Sequence, residues 1–234
     1  MINKLTLFGD SIIKGVTYSN EHKKYKLCKL DYSLLEQYEI TVENNSRMGS
    51  TIDKGFEFIT DRRDELDNKT LSIIEFGGND CNFDWSMVSA NPEGEFLPFT
   101  PEEMFVAMYR KAIGALKQTG SAVAVATLVP LDSAKFFRWI SKGLDQDAIL
   151  RWLGDENMLG RWQEYYSTLS QRVAWEMGCP IIDLRSEFLK VRNYTELLCE
   201  DGIHPTQQGY DLIVDKIIAY TINYQKQQSQ KRTG

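Results

Sequence analysis

Hydrophobic and polar positions alternate in blocks along the chain, and the shortest apolar blocks predict strands. Four runs of apolar, often β-branched residues end abruptly at glycine, proline or charged residues, and a fifth run is weaker. Such runs are typical of parallel strands that are buried on both faces. We predict strands over residues 5–8, 71–76, 122–129 and 180–184, with the weaker one over 39–43.

Amphipathic segments with helical spacing lie between these runs, over residues 31–38, 51–66, 100–118, 161–177 and 205–220. The clearest helix start is Thr100-Pro101, because a threonine cap, a first-turn proline and two following glutamates all suit a helix N-terminus. Strands that alternate with helices predict a doubly wound parallel sheet covered on both faces. In such sheets, ligands bind beyond the carboxyl ends of the strands.

The length and composition suit one α/β domain. The 234 residues are 42% hydrophobic and 26% charged, close to the averages of globular proteins. We predict a single domain over residues 1–224 and a polar, frayed tail over 225–234. Two long connections, 82–99 and 131–160, are rich in phenylalanine and tryptophan, which argues against disorder. Their aromatic residues either border a ligand site or pack as a small cap.

Charge and cysteine content exclude several classes of partner. The net charge of −6 argues against nucleic-acid binding through phosphate contacts. No apolar run approaches the length of a membrane span, and no signal peptide is visible at the N-terminus. The four cysteines form no C-x-x-C pair, so we expect buried thiols rather than a zinc site or a redox dithiol. These features predict a cytoplasmic protein.

The two histidines limit the search for a general base, because histidine most often fills that role at neutral pH. His22 lies in a charged run and is predicted to be exposed at the surface. His204 follows Asp201 by three residues in a turn at the head of the last predicted helix, so the carboxylate can reach back to the imidazole and orient it. Alternatively, Asp201 is only a turn or cap residue and His204 is incidental.

Ser11 follows the first predicted strand at the point where a helix should begin. Either Asp10 or Ser11 caps that helix, or Ser11 is a nucleophile at the positive end of the helix, where backbone N–H groups also stabilise an oxyanion. Asn79, after the third strand, can donate through its amide, although residues 77–80 also suit a plain turn. Gly49 either directs its N–H into the same crevice or is an ordinary loop glycine.

Taken together, these blocks resemble the SGNH hydrolases, the GDSL-like lipase/acylhydrolase superfamily. The blocks follow the family's order and approximate spacing: Gly9-Asp10-Ser11-Ile12, Gly49, Gly77-Gly78-Asn79-Asp80 and Asp201-Gly202-Ile203-His204-Pro205. The first block has Ile12 where the family usually has leucine. The resemblance implies a three-layer α/β/α sandwich around a flavodoxin-like, doubly wound parallel sheet of about five strands.

The resemblance also implies a carboxylic ester hydrolase that forms an acyl-enzyme. Its nucleophile would be Ser11, its base His204 and the residue that orients the base Asp201. Its oxyanion hole would comprise the N–H groups of Ser11 and Gly49 and the side-chain amide of Asn79. Asp10 would support the turn. The family needs no metal or other cofactor, and its partner is a small-molecule ester.

The sequence does not determine the oligomeric state or the substrate-binding residues. We expect a short acyl group such as acetyl on a polar or sugar carrier. Two alternatives stay open. One is a lipase, thioesterase or lysophospholipase with the same triad, and the other is a non-catalytic module that binds a small ligand.

Overall fold

A computed structural model describes the backbone of residues 1–233 and the side chains of residues 1–230. The strands are β1 (Lys4–Gly9), β2 (Val16–Ser19), β3 (Lys24–Leu27), β4 (Thr41–Asn44), β5 (Thr70–Glu75), β6 (Ala122–Ala126) and β7 (Ile181–Ile182). The α-helices are α1 (Ser11–Lys14), α2 (Ile52–Arg62), α3 (Trp85–Ala90), α4 (Glu102–Gln118), α5 (Ser133–Ile140), α6 (Gln146–Leu153), α7 (Asn157–Glu176), α8 (Leu184–Leu189) and α9 (Gln207–Thr233). Short 3-10 helices cover Ser33–Tyr38, Arg63–Glu65 and Tyr194–Leu197.

Five strands form the parallel sheet that the sequence predicts, in the order β4-β1-β5-β6-β7. The chain leaves β1 to form β4 on one side and then crosses back to form β5 on the other. This reversal is the topological switch point, where ligands bind in open α/β sheets. The carboxyl ends of β1 and β5 lie side by side there, with Gly9 paired to Glu75.

Helices cover both faces of the sheet, which confirms the three-layer sandwich. Successive residues of β5 alternate between the faces, so Ile73 packs with α1, α8 and α9, whereas Ile74 packs with α2, α4 and α7. Helix α2 approaches the sheet closely, because a Cβ at Gly55 would lie 2.3 Å from the ring of Phe76.

The aromatic connections contain helices α3, α5 and α6, which the sequence pattern did not predict. These helices pack together through a third apolar cluster that includes Phe83, Trp85, Phe137, Ile149 and Leu153. The interpretation as a packed cap is therefore correct for most of these aromatic residues. The cap lies beyond the carboxyl ends of β5 and β6, next to the switch point.

The chain end differs from the frayed tail expected there. Helix α9 continues to Thr233 instead of ending near residue 220. The side chain of Gln225 bonds the backbone of Ile2 twice, through Ile2 N–H to Oε1 and Nε2–H to Ile2 O, both at 2.9 Å. This pairing holds a polar segment of the helix against the residues that precede β1. Gly234 lies outside the described residues.

No helix within residues 1–233 is long and apolar enough to cross a membrane. The cytoplasmic location and the boundary of the domain at residue 224 stay predictions.

Candidate active site

Asp10, rather than Ser11, caps the helix that follows β1. The Asp10 Oδ1 atom accepts the N–H of Ile12 at 2.8 Å, and the four-residue helix α1 ends at Gly15 in the left-handed conformation (φ 87°). Of the two capping candidates, Asp10 is therefore the one that caps α1, and the Ser11 hydroxyl has no capping role. The Ser11 hydroxyl lies just beyond the carboxyl end of β1, at the switch point.

The Asp201–His204 segment is a tight turn before α9. Asp201 Oδ1 accepts the N–H groups of Ile203 and His204, both at 3.1 Å. The other oxygen, Oδ2, lies 2.7 Å from His204 Nδ1. Gly202 makes the turn possible, because its φ is +75° and a Cβ there would lie 2.5 Å from the backbone nitrogen of Phe136. The turn thus both orients the imidazole and packs against the cap.

The fold brings Ser11 and His204 together across 193 residues of sequence. The Ser11 Oγ atom lies 2.9 Å from His204 Nε2, within hydrogen-bond distance. All three residues are buried, with relative exposures of 7% for Ser11, 5% for His204 and 0% for Asp201. The carboxylate at Nδ1 favours the tautomer with hydrogen on Nδ1, so Nε2 is the acceptor for the serine hydroxyl.

Electrostatics keep Asp201 charged. Burial alone would raise the pKa of Asp201, but the hydrogen bond from His204, the charge of that imidazole and two backbone N–H groups together lower it. The pKa of Asp10 shifts in the opposite direction. Burial raises the pKa of Asp10 to about 6, although the Ile12 N–H, His204 and the Asn79 amide offset part of this effect.

The predicted oxyanion donors lie in the segments that follow β1, β4 and β5, with Ser11 at the start of α1. Gly49 is exposed in the left-handed conformation (φ 74°), and its N–H donates to no acceptor among the described residues. Asn79 Nδ2 lies 3.0 Å from Asp10 Oδ2 and 3.1 Å from the carbonyl oxygen of Ser50. Both amide protons of Asn79 are therefore engaged by protein acceptors. The role of these residues in an oxyanion hole stays a prediction.

Two buried carboxyls beside the site were given no role in the sequence analysis. Asp80 accepts the N–H of Ile52 at 3.0 and 3.2 Å, which fixes the start of α2 next to the Gly49 loop. Burial, the largest effect, raises the pKa of Asp80 to about 7. Glu75 is 1% exposed, and its Oε2 has no partner among the described residues. An acidic residue that ends an otherwise apolar strand was the available signal for Glu75.

Ser11 faces a cavity of about 60 Å³ whose wall includes His204, Asn79 and Glu75. An adjoining chamber of about 40 Å³ extends beneath the cap. The two spaces share wall residues, namely Gly78, Asn82, Leu131, Phe136, Gln163 and Ile203. The chamber beneath the cap is mostly apolar, with Phe83, Trp85, Trp152, Leu153 and Trp162 in its wall. Some aromatic residues of the two connections thus pack the cap and also line this chamber.

An antiparallel hairpin of β2 and β3, absent from the predicted elements, forms another border of the site. The Tyr25 ring lies edge-to-face against the His204 ring, with centroids 5.1 Å apart. Burial raises the pKa of Tyr25 to about 12, and the charge of Asp201 adds to this effect, so the phenol stays protonated. His22 lies in the turn of the hairpin, and its side chain is 54% exposed, as predicted.

The sequence pattern of the GDSL-like Lipase/Acylhydrolase family matches residues 7–212, most of the chain. The chain belongs to this family. Family membership indicates an ester hydrolase of the carboxylesterase type. The match begins within β1 and ends within α9, so it includes every block of the site. A comparison with curated proteins finds no match.

Solved structures share the fold along nearly the whole chain. A lipase/acylhydrolase from Enterococcus faecalis is 20% identical, with 94% of this chain and 95% of that chain covered and a TM-score of 0.62. A lipolytic G-D-S-L protein from Veillonella parvula is 14% identical, with 92% and 96% covered and a TM-score of 0.60. A variant of an acetyl xylan esterase from Geobacillus stearothermophilus is 16% identical, with 93% of each chain covered and a TM-score of 0.62. At such identities the similarity shows the fold alone.

Proposed function

We propose that this chain is a serine esterase in which Ser11 is the nucleophile, His204 the general base and Asp201 the residue that orients the base. The observation that carries the proposal is the 2.9 Å distance between Ser11 Oγ and His204 Nε2. A nucleophile, its base and a buried carboxylate on the far nitrogen form the arrangement that activates a serine hydroxyl.

The reaction follows from this geometry in two halves. Ser11 Oγ attacks the ester carbonyl carbon while its proton moves to His204 Nε2, and the carbonyl oxygen becomes an oxyanion. The tetrahedral intermediate then loses the alcohol, which takes the proton from Nε2, and the acyl group stays on Ser11. Water attacks this acyl-enzyme with His204 again as base, which releases the carboxylic acid and restores the serine.

The oxyanion would be held by the N–H groups of Ser11 and Gly49 and by the Asn79 amide. The first two donors are available, whereas Asn79 must release Asp10 or Ser50 in order to donate. We propose that one N–H of the Asn79 amide breaks its hydrogen bond to Asp10 or Ser50 and donates to the oxyanion instead as negative charge develops. Loss of one oxyanion donor typically lowers turnover by about 10²–10³.

The size of the cavities supports a short acyl group. A cavity needs about 10–15 Å³ to hold one water-sized group. The space of about 60 Å³ beside Ser11 therefore holds only a few such groups. Acetyl xylan esterases share this fold, and catalytic variants of one of them replace a serine, an aspartate and a histidine. We propose an acetyl or similarly short ester on a polar or sugar carrier.

The apolar chamber beneath the cap favours one rival, an enzyme with the same triad that acts on longer acyl chains. Initial rates with p-nitrophenyl esters from acetate to palmitate separate the two possibilities. We expect kcat/KM to be highest at acetate or butyrate. A rate that rises towards palmitate would contradict the proposal of a short-chain esterase and indicate a lipase.

Ser11→Ala is the matched control for the ester assay. The catalytic proposal predicts that this variant loses at least about 10³-fold in kcat while it remains folded. Equal hydrolysis by wild type and variant would show that Ser11 is not the nucleophile. No hydrolysis by either protein above the uncatalysed rate would favour a module that binds a small ligand without catalysis.

A further inference from the structure

The histidine divides the site into an acyl side and a leaving-group side. In the proposed reaction, His204 Nε2 returns a proton to the departing alcohol, so that alcohol must leave next to the imidazole. The cavity of about 60 Å³ that Ser11 faces offers enclosed space for the acyl group. A surface that begins at the imidazole and extends away from that cavity is therefore placed to contact the carrier of the ester.

Three aromatic side chains form such a surface. Tyr25 contacts His204 at a centroid distance of 5.1 Å, Tyr18 contacts Tyr25 at 5.2 Å, and Trp139 contacts Tyr18 at 4.8 Å. Tyr18 and Tyr25 are directly paired across the hairpin, so both side chains project from the same face. Trp139 comes from α5 of the cap and meets them from the other direction. We call Tyr18, Tyr25 and Trp139 the aromatic platform.

The platform is not part of the hydrophobic core. None of its three members belongs to the apolar clusters on either face of the sheet or within the cap. Tyr25 keeps 37% of its exposure, and Tyr18 and Trp139 are half-buried. Large aromatic side chains that remain partly exposed beside a reactive histidine require another explanation than core packing.

The chemistry of the platform favours a sugar over an aliphatic chain. Tyrosine and tryptophan combine an apolar ring face with an O–H or N–H group. A pyranose ring has the matching arrangement, with C–H groups on its faces and hydroxyls around its edge. An alkyl chain has no hydroxyls with which to hydrogen-bond these polar groups, whereas a sugar ring has several. The apolar chamber under the cap, lined by Trp85, Trp152 and Leu153, suits an alkyl group better.

We propose that the aromatic platform is the carrier subsite of the enzyme and binds the sugar rings of an acetylated oligosaccharide. This inference rests on the proposed function, because it assigns the leaving-group side of the same reaction. The platform extends from His204 through Tyr25 and Tyr18 to Trp139 in edge-to-face contacts, with centroids 4.8–5.2 Å apart.

The test compares two acetate esters that differ in their carrier. Fully acetylated xylobiose reaches the platform, whereas ethyl acetate is too small to extend from His204 to Trp139. For Tyr18→Ala and Trp139→Ala we expect the ratio of kcat/KM for acetylated xylobiose to that for ethyl acetate to fall about tenfold, mainly through KM. This change corresponds to about 1.4 kcal/mol. Tyr18→Phe and Trp139→Phe, which keep a ring, should restore the ratio to within about threefold.

Trp175→Ala is the matched control, because Trp175 is 79% exposed on α7 and lines neither cavity. Its ratio should equal that of the wild type. Should an alanine variant lose its thermal transition, Tyr18→Leu and Trp139→Leu keep more apolar volume than alanine but have no ring, and they should show the same fall.

Three outcomes would overturn the inference. Ratios within about twofold of wild type in all platform variants would show that the platform does not bind the carrier. Hydrolysis of ethyl acetate without hydrolysis of acetylated xylobiose by the wild type would reject the sugar and leave the esterase proposal intact. Failure of the wild type to hydrolyse either ester would reject the proposed function itself.

Discussion

Replacement of Asp201 by asparagine tests whether catalysis depends on which nitrogen of His204 carries the hydrogen. Asp201 Oδ1 accepts two backbone N–H groups, from Ile203 and His204, while Oδ2 faces His204 Nδ1. In Asp201→Asn the amide oxygen must take the Oδ1 position. The reverse orientation would set the NH₂ group against both N–H donors, at about 1–3 kcal/mol for each unsatisfied group.

The NH₂ group of the asparagine therefore faces Nδ1 and donates to it. The imidazole must then carry its hydrogen on Nε2, where it cannot accept the proton of Ser11. A wrong tautomer of this kind lowers kcat by about 10⁴ in the serine protease triad. We expect a similar loss here, which corresponds to about 5 kcal/mol of transition-state stabilisation.

The assay is the initial rate of p-nitrophenyl acetate hydrolysis over a range of substrate concentrations, with thermal unfolding recorded for each variant. The control is Asp215→Asn, because Asp215 is an exposed aspartate on α9. It should behave as the wild type. A loss of less than tenfold in a folded Asp201→Asn variant would refute the reasoning, because His204 would then act without its carboxylate.

Other predictions concern stability and acyl preference. Burial raises the pKa of Asp80 to about 7 in the folded protein, so the folded state keeps a proton that the unfolded chain releases above about pH 4. The free energy of unfolding should therefore fall as pH rises from 5 to 7, by up to about 1.4 kcal/mol per pH unit for this proton. Asp80→Asn should remove that contribution, and an unchanged slope in urea titrations would contradict it. Gly202→Ala should destabilise the fold by more than about 3 kcal/mol and abolish activity, since its φ is +75° and its Cβ would lie 2.5 Å from Phe136 N. Gly178→Ala, with positive φ but open space, should cost only about 1 kcal/mol, and equal thermal shifts for both variants would refute the steric argument. Leu153→Ala, in the wall of the apolar chamber, should raise kcat/KM for longer acyl esters by about fourfold for each added methylene that it admits, relative to acetate. An unchanged chain-length series would show that acyl chains do not enter the chamber.

The central sheet and the site blocks were predictable because each depends on local sequence chemistry. Residues 71–76 are mostly apolar and include two β-branched isoleucines, and in the structure both faces of β5 are buried. The tight turns at Ser11 and His204 require glycine and aspartate nearby, and these residues are visible in the sequence. Ser11 lies at the carboxyl end of β1, and His204 lies just before α9. Because helices that cover a parallel sheet begin at the edge where its strands end, the topology brings Ser11 and His204 to the same edge.

Other features depend on contacts that no local pattern records. The β2–β3 hairpin alternates apolar and polar residues, but each strand has only four residues. No local pattern places this hairpin over His204. The two acceptors of the Asn79 amide come from Asp10 and Ser50, which are distant in sequence. Strand β7 was expected over residues 180–184, but only Ile181–Ile182 pair with β6, because Asp183 caps α8.

The most direct test of the central claim is covalent labelling of the active serine. A fluorophosphonate reacts with a serine only when a neighbouring base accepts its proton, so the adduct reports the activated hydroxyl itself. Intact-mass and peptide mass spectrometry of the wild type should show one adduct, on Ser11, while Ser11→Ala should show none and His204→Ala very little. Absence of labelling in the folded wild type, or an adduct on another serine that persists in Ser11→Ala, would contradict the account.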